Sequence, residues 1–246
     1  EWQPKNDVLI VRGGMTGNYK ETSVAAKGGR FLTRAKRLEL QGDVNAVSRK
    51  PAAQFRSDRL VWLVEQKKLF SDRPVQIAGN LPGRTAGSVA TSGRGAVDLN
   101  SRTATLNQGT QITLSDPPIQ VSGDALVWNL NNKTVVSDNP ITIYSPKQRV
   151  TLTGDRGHMD VTTRTAYLTG NVRGSGQRNG SQLRANAITY NLGNEQFLAE
   201  GNVNYRQTNP PFNLVGPRAT GKIQDQTVVV NGGRVVSEFI PETVIR

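Results

Sequence analysis

Asp58-Arg-Leu-Val-Trp62, Lys67, Ser71-Asp72-Arg-Pro74-Val75 and Ile77 return as Asp124-Ala-Leu-Val-Trp128, Lys133, Ser137-Asp138-Asn-Pro140-Ile141 and Ile143, each match 66 residues downstream. Steps of 31 residues extend the grid from Trp128 to Met159, with Asp155 for Asp124, Arg164 for Lys133, Ala166 for Val135 and Val172 for Ile141. A further step reaches Tyr190, where Ile188 replaces Leu126, Phe197 replaces Val135 and Val203 replaces Ile141. Backwards the grid reaches Val97, after about four extra residues in the stretch Gly83 to Thr91, then Trp62 and Phe31; forwards it reaches Gly221, where the match is weakest. Seven repeats, at positions 31, 62, 97, 128, 159, 190 and 221, therefore span most of the chain. A fixed period of this size marks a repeat architecture in which each unit buries its apolar face against the next.

Within a repeat the apolar residues alternate, the signature of a strand with one buried face. Polar turns fall where the grid needs them, at Asn131-Asn132-Lys133, Thr162-Thr163-Arg164 and Gly193-Asn194-Glu195 on one edge, and at Pro146-Lys147 and Pro210-Pro211 on another. Pro74, Pro140, Gly170 and Gly201 occupy nearly equivalent positions in mid-segment, where a strand can bend from one sheet into a second. The expected fold is all-β and antiparallel, with two facing sheets joined by corners. Stacking two rungs per repeat at about 4.8 Å would give an elongated body about 65 Å long.

The inward column is apolar throughout. It holds Leu60, Trp62, Leu126 and Trp128, then Ile141, Ile143, Met159, Leu168 and Val172, and finally Ile188, Tyr190, Phe197 and Val203. Phe70, Val136, Tyr167 and Leu198 fall on the opposite parity. Strict alternation points them outward, and partial cover by neighbouring loops, a bulge that resets the register or an exposed contact strip would each account for them. The expected organisation is an N-terminal segment over 1–29, the repeats over 30–236 and a tail over 237–246.

Lys and Arg number 31 against 19 Asp and Glu, a formal charge of +12. Such a surface favours anionic partners, whether nucleic acid, an anionic membrane face or a phosphorylated glycolipid, and also serves solubility. Nucleic-acid binding calls for basic residues interleaved with exposed aromatics, whereas Trp62, Trp128 and Tyr190 share the inward column with aliphatics. There is no cysteine, which removes disulfides and thiol chemistry. No apolar run approaches the roughly 20 residues of a membrane-spanning helix.

Catalytic chemistry is sparse. His158 is the single histidine and falls on the outward parity, so neither a His-based triad nor a multi-His metal site can form. Asp58, Asp124 and Asp155 come one per repeat, a spacing that suits turn capping better than a calcium cage. Gly174-Ser-Gly-Gln-Arg-Asn-Gly180 lacks the strand-to-helix context of a phosphate loop and is expected to be a hairpin tip. No catalytic residue, metal ligand or cofactor is expected.

Gly154-Asp155-Arg-Gly-His-Met-Asp-Val-Thr-Thr-Arg-Thr-Ala-Tyr-Leu-Thr-Gly170-Asn171-Val172 resembles the repeat of the OstA/LptA/LptC family, and the stretch ending Glu200-Gly201-Asn202-Val203 and the variant Gln41-Gly42-Asp43-Val44 carry the same form. The resemblance covers roughly residues 30 to 235 and leans towards LptC-like members. It implies a β-jellyroll open along one side whose interior shields the acyl chains of lipopolysaccharide, working in the periplasm between an inner-membrane ABC transporter and the outer membrane. It further implies partners joined through edge strands, end-to-end self-association, and, for LptC-like members, an N-terminal anchor in the inner membrane. On this reading the inward column is a lipid-binding groove. The alternative is a structural repeat protein with a closed core, binding acidic polysaccharide or another polyanion by its basic surface.

Overall fold

The computed structural model describes residues 2–3, 7–49, 52–79, 87–222, 227–232 and 236–239. Every regular element among them is a strand. The chain divides into two units, residues 1–115 with 124–134, and residues 116–123 with 135–246.

In the first unit β1 (Trp2–Gln3), β2 (Val8–Tyr19), β3 (Thr22–Leu32), β4 (Arg37–Arg49) and β5 (Ala52–Leu63) form successive antiparallel pairs. Then come β6 (Lys68–Ser71), β7 (Val75–Gly79), β8 (Ser88–Ser92), β9 (Arg94–Asp98) and β10 (Thr103–Ser115). The short strands take half-lengths of their neighbours: β5 pairs with β6 through Val61–Leu63 and with β7 through Ala53–Ser57. β10 likewise pairs with β8 and β9. β11 (Pro118–Asn129) gives its later residues to this unit and its earlier ones to the second.

The second unit continues with β12 (Thr134–Ser137), β13 (Ile141–Ser145), β14 (Val150–Gly154) and β15 (Arg156–Asp160), then the long strands β16 (Thr165–Gly176), β17 (Ser181–Asn191), β18 (Gln196–Thr208) and β19 (Pro211–Lys222). β20 (Thr227–Asn231) and β21 (Val236–Phe239) both pair with β19.

The repeat grid appears in the register itself. Cross-strand partners link Phe31, Leu38, Trp62, Leu69, Val97 and Ala104 into one row of the first unit. In the second unit the equivalent row is Met159, Ala166, Tyr190, Phe197, Gly221 and Val228. Every second member is a grid position, because one repeat supplies two antiparallel strands. A second row in each unit forms the facing layer: Val24, Ala46, Phe55, Ile77, Ala90 and Ile112 in the first, Ile143, Leu152, Gly174, Leu183 and Tyr205 in the second. Most of these residues are buried, with Phe31, Leu38, Phe197 and Val228 half-buried, and each large apolar side chain fully buried there contributes about 1.5–3 kcal/mol.

The turns are as regular as the rows. Asp98, Asn129, Asp160 and Asn191 each stand one position after a grid residue, and each side-chain oxygen accepts from the backbone N–H two and three residues on. Such side-chain closure is why Asp and Asn initiate turns. Four residues later, Arg102, Lys133, Arg164 and Glu195 lie in the left-handed region, as do Lys36 and Lys67 in the preceding repeats, with φ from 46° to 61°.

Two chemistries make the corners between layers. In one, consecutive residues take positive φ, as in Gly42-Asp43, Gly170-Asn171 and Gly201-Asn202, and the strand register shifts at that point. Glycine is required at Gly170, where a Cβ would fall 2.6 Å from Asp155 Oδ2. In the other, the chain leaves the ladder at Asp72-Arg-Pro74 and Asp138-Asn-Pro140, and the hydroxyls of Ser71 and Ser137 accept from the N–H of Arg73 and Asn139. The recurrent aspartates serve these corners: Asp155 accepts from Asn171, and Asp124 from the N–H of Gly109.

Paired strands begin at Trp2, where β1 joins β2, and the boundary expected at residue 30 falls inside β3. Without a large grid residue before Phe31, and with Gly13-Gly14 interrupting the alternation, β2 and β3 leave little trace in the repeat pattern. At the other end β21 extends to Phe239, and residues 240–246 of the expected tail lie outside the described residues. So do residues 80–86, which include the first four residues of the stretch Gly83 to Thr91.

Candidate functional site

The inner faces of the two layers hold the candidate site, and they differ between the units. In the first unit Leu60, Trp62, Leu126 and Trp128 are buried core residues. Trp128 crosses the interlayer space towards Gly79 of the opposite layer, whose Cβ, if present, would lie 3.2 Å from the indole. A small void of about 20 Å³ remains beside Phe55, Leu69, Ile77 and Val97.

In the second unit the layers part into a narrow cleft of about 70 Å³. Ile188 and Tyr190 from β17 and Phe197 from β18 form one wall. Leu152 from β14, Leu183 from β17 and Tyr205 from β18 form the other. Because β17 and β18 pass through corners, each strand supplies both walls. Gly221, the weakest match in the repeat grid, is explained here: a Cβ would sit 2.5 Å from Phe197 Cε1, so the ring occupies the space where the repeat elsewhere carries a side chain.

Of the inward column, Ile188, Tyr190 and Phe197 line this cleft. Ile141, Ile143, Met159, Leu168, Val172 and Val203 are buried on the same inner faces but do not line it. Val150, Leu152 and Leu183 alternate with polar neighbours along β14 and β17, yet nothing in their sequence marks them as the opposite wall. The outward parity of the second column is realised. Phe70, Val136 and Tyr167 are exposed, Leu198 is half-buried, and Tyr167 stacks on His158 at 5.6 Å between ring centroids.

The rim is polar. Gln148 donates to Glu195 at 3.0 Å and accepts from Ser145, and the Lys147 ammonium lies 3.8 Å from the Glu195 carboxylate. Arg178 and Lys222 complete the lining. Tyr205 donates to Gln207, which in turn donates to the Asn209 carbonyl. Burial pushes both the Tyr190 and the Tyr205 phenols upward, so each remains a neutral hydroxyl. The cluster offers binding rather than acid–base chemistry: an apolar slot with hydroxyl and cationic groups at its mouth. Gly174–Gly180, expected as a hairpin tip, is the end of β16 and the turn that follows it, with Arg178 donating to the Lys147 carbonyl.

An all-β jellyroll built from repeated strand pairs, with an apolar cleft between its layers, is the class that these features define. Residues 8–90 match the family model for lipopolysaccharide-assembly, LptC-related proteins. The match spans β2 to most of β8, agrees with an OstA/LptC-like family and favours its LptC-like branch. It implies a role in lipopolysaccharide transport, in a family of transport components rather than enzymes. No curated protein matches the chain.

The matched region is not the one in which the repeat is most legible. The motifs at Gly154–Val172 and Asn186–Val203 lie beyond it, while Gln41-Gly42-Asp43-Val44 lies within it and forms the same glycine corner as Gly170-Asn171 and Gly201-Asn202.

Proposed function

We propose that the protein is a non-catalytic lipopolysaccharide carrier of the periplasm, holding acyl chains against the apolar inner faces of its layers and passing them from an inner-membrane ABC transporter towards the outer membrane. The observation that carries this reading is the second-unit cleft, with aliphatic and aromatic walls and a cationic rim at Arg178 and Lys222. Acyl chains gain by leaving water for such a surface, and phosphate groups at the headgroup match the cations. The first unit's own inward residues, Leu60, Trp62, Leu126 and Trp128, are buried core, and the proposal extends to them as lipid-facing only when that unit's layers part.

The edge strands support partners joined by strand addition. β20 and β21 pair with β19, and Val229 and Val236 on them are strongly exposed, as a surface for bridge subunits or a second copy would require. On the LptC-like reading the protein is held at the inner membrane by a segment N-terminal to this chain.

Photo-crosslinking tests the cleft. A photoreactive residue at Phe197 is expected to capture lipopolysaccharide, and one at Thr189, on the outer face of the neighbouring strand, is not. Equal capture from both positions would favour the polyanion alternative, in which ligand rides on the basic exterior.

A further inference from the structure

Tyr190 differs from the other polar groups around the cleft. Its side chain is 2% exposed and lines the apolar slot, yet its hydroxyl has no hydrogen-bond partner among the described residues. Tyr205, the other buried tyrosine of the cleft, donates to Gln207, and Gln148 is engaged at the rim. Trp62 Nε1 is also unpaired, in the first unit, but of the two groups Tyr190 is the one that lines the open cleft. Burying a hydroxyl without a partner is unfavourable, and phenylalanine would fill the same ladder position without that cost.

The donor is preserved because burial holds the phenol protonated, with the Glu195 carboxylate adding to that effect and the Arg178 guanidinium opposing it. The apolar walls of the slot disfavour a charged acid beside the hydroxyl and leave a neutral acceptor as the fitting partner. A lipid chain entering an apolar slot brings one such acceptor, the carbonyl at its linkage. With that carbonyl at Tyr190, an anionic headgroup would project towards Arg178 and Lys222 at the rim.

We propose that the Tyr190 hydroxyl donates to the linkage carbonyl of an acyl chain seated in the second-unit cleft, so that the site selects acyl esters and amides over plain alkyl chains. This rests on the lipid-binding reading above and adds to it a group that recognises the linkage.

The test compares dioctanoyl phosphatidylglycerol with its dioctyl ether counterpart, which has the same headgroup and chains but no carbonyl. Binding to the full chain and to Tyr190→Phe is measured by displacement of a fluorescent lipid, beside the denaturant midpoint of each protein. The wild type is expected to bind the ester about tenfold more tightly than the ether, the worth of one hydrogen bond in an apolar site. Tyr190→Phe is expected to bind both at the ether's affinity, with a midpoint unchanged or raised. Equal binding of the two lipids by the wild type, persistence of the preference in Tyr190→Phe, or marked destabilisation of that variant would overturn the proposal alone. If neither lipid binds the wild type, the lipid-binding reading falls, and the proposal with it.

Discussion

Asn171 Nδ2 donates to Asp155 Oδ2 at 2.7 Å, closing the corner at which β16 passes from one layer of the second unit to the other. The carboxylate fills the space that a side chain at Gly170 would need, so corner glycine and neighbouring aspartate form one device. Asn186 stands in the same relation to Gly201, and Lys27 to Gly42.

Gly170→Ala is therefore expected to cost more than Gly109→Ala. Both glycines have positive φ, at 74° and 68°, but a Cβ at Gly109 meets nothing within 4 Å. The left-handed conformation alone costs about 1–2 kcal/mol. The collision with Asp155 should add about 1–3 kcal/mol at Gly170. Urea denaturation of the two variants measures the difference, and equal midpoints would show that Asp155 moves aside freely.

Trp128→Ala should lower stability by about 3–5 kcal/mol, because the indole spans the interlayer space of the first unit and leaves a cavity when removed. Thr189→Asn, on an outer face, is the control and should leave the midpoint in place. A loss below about 1 kcal/mol at Trp128 would mean that the first unit's layers collapse onto the vacancy.

Asp98 makes an acid-sensitive turn. Its carboxyl is held below the ordinary range by the N–H of Ser101, helped by the N–H of Asn100 and by Lys68, against an opposing effect of burial. A depressed carboxyl contributes stability that is present above its unfolded value near 4 and is lost as pH falls through the lower folded value. Asp98→Asn keeps the turn, as Asn129 and Asn191 do in later repeats. It should be less stable than the wild type at neutral pH, by the contribution of the charge, and show a shallower loss of stability between about pH 4 and 2. Identical acid limbs in the two proteins would exclude Asp98 as a contributor.

Lipopolysaccharide binding should keep a substantial part of its strength at high salt. Headgroup contacts to exposed Arg and Lys weaken when the Debye length shrinks to about 3 Å at 1 M, whereas burial of acyl chains does not. Binding followed from low to high salt measures the two contributions. Complete loss at 1 M would favour the polyanion alternative.

The strands and their register were legible because period-2 alternation and turn residues are local signals. Trp62, Trp128, Met159 and Tyr190 declared the inward face, and the outward parity of Phe70 and Tyr167 followed from the same rule. The cleft was not legible. Trp128 and Tyr190 occupy equivalent grid positions, yet one fills its interlayer space and the other lines an opening. That contrast depends on the residue across the gap and on where the layers part, neither of which alternation encodes. The unpaired hydroxyl of Tyr190 is hidden for the same reason, since a missing partner is a property of three-dimensional surroundings.

β16, β17, β18 and β19 each run unbroken through a corner and are hydrogen-bonded to their neighbours on both sides of it. No one of them can swing outward without tearing two ladders, so the gap between the layers widens only when the whole row of corners flexes together, as a book opens along its spine. Under the proposed lipid-carrying role, cargo thickness would be gauged by the stack of strands as one spring. A chain wedged beside Phe197 would load the hinge at Gly170 as well as the nearer one at Gly201.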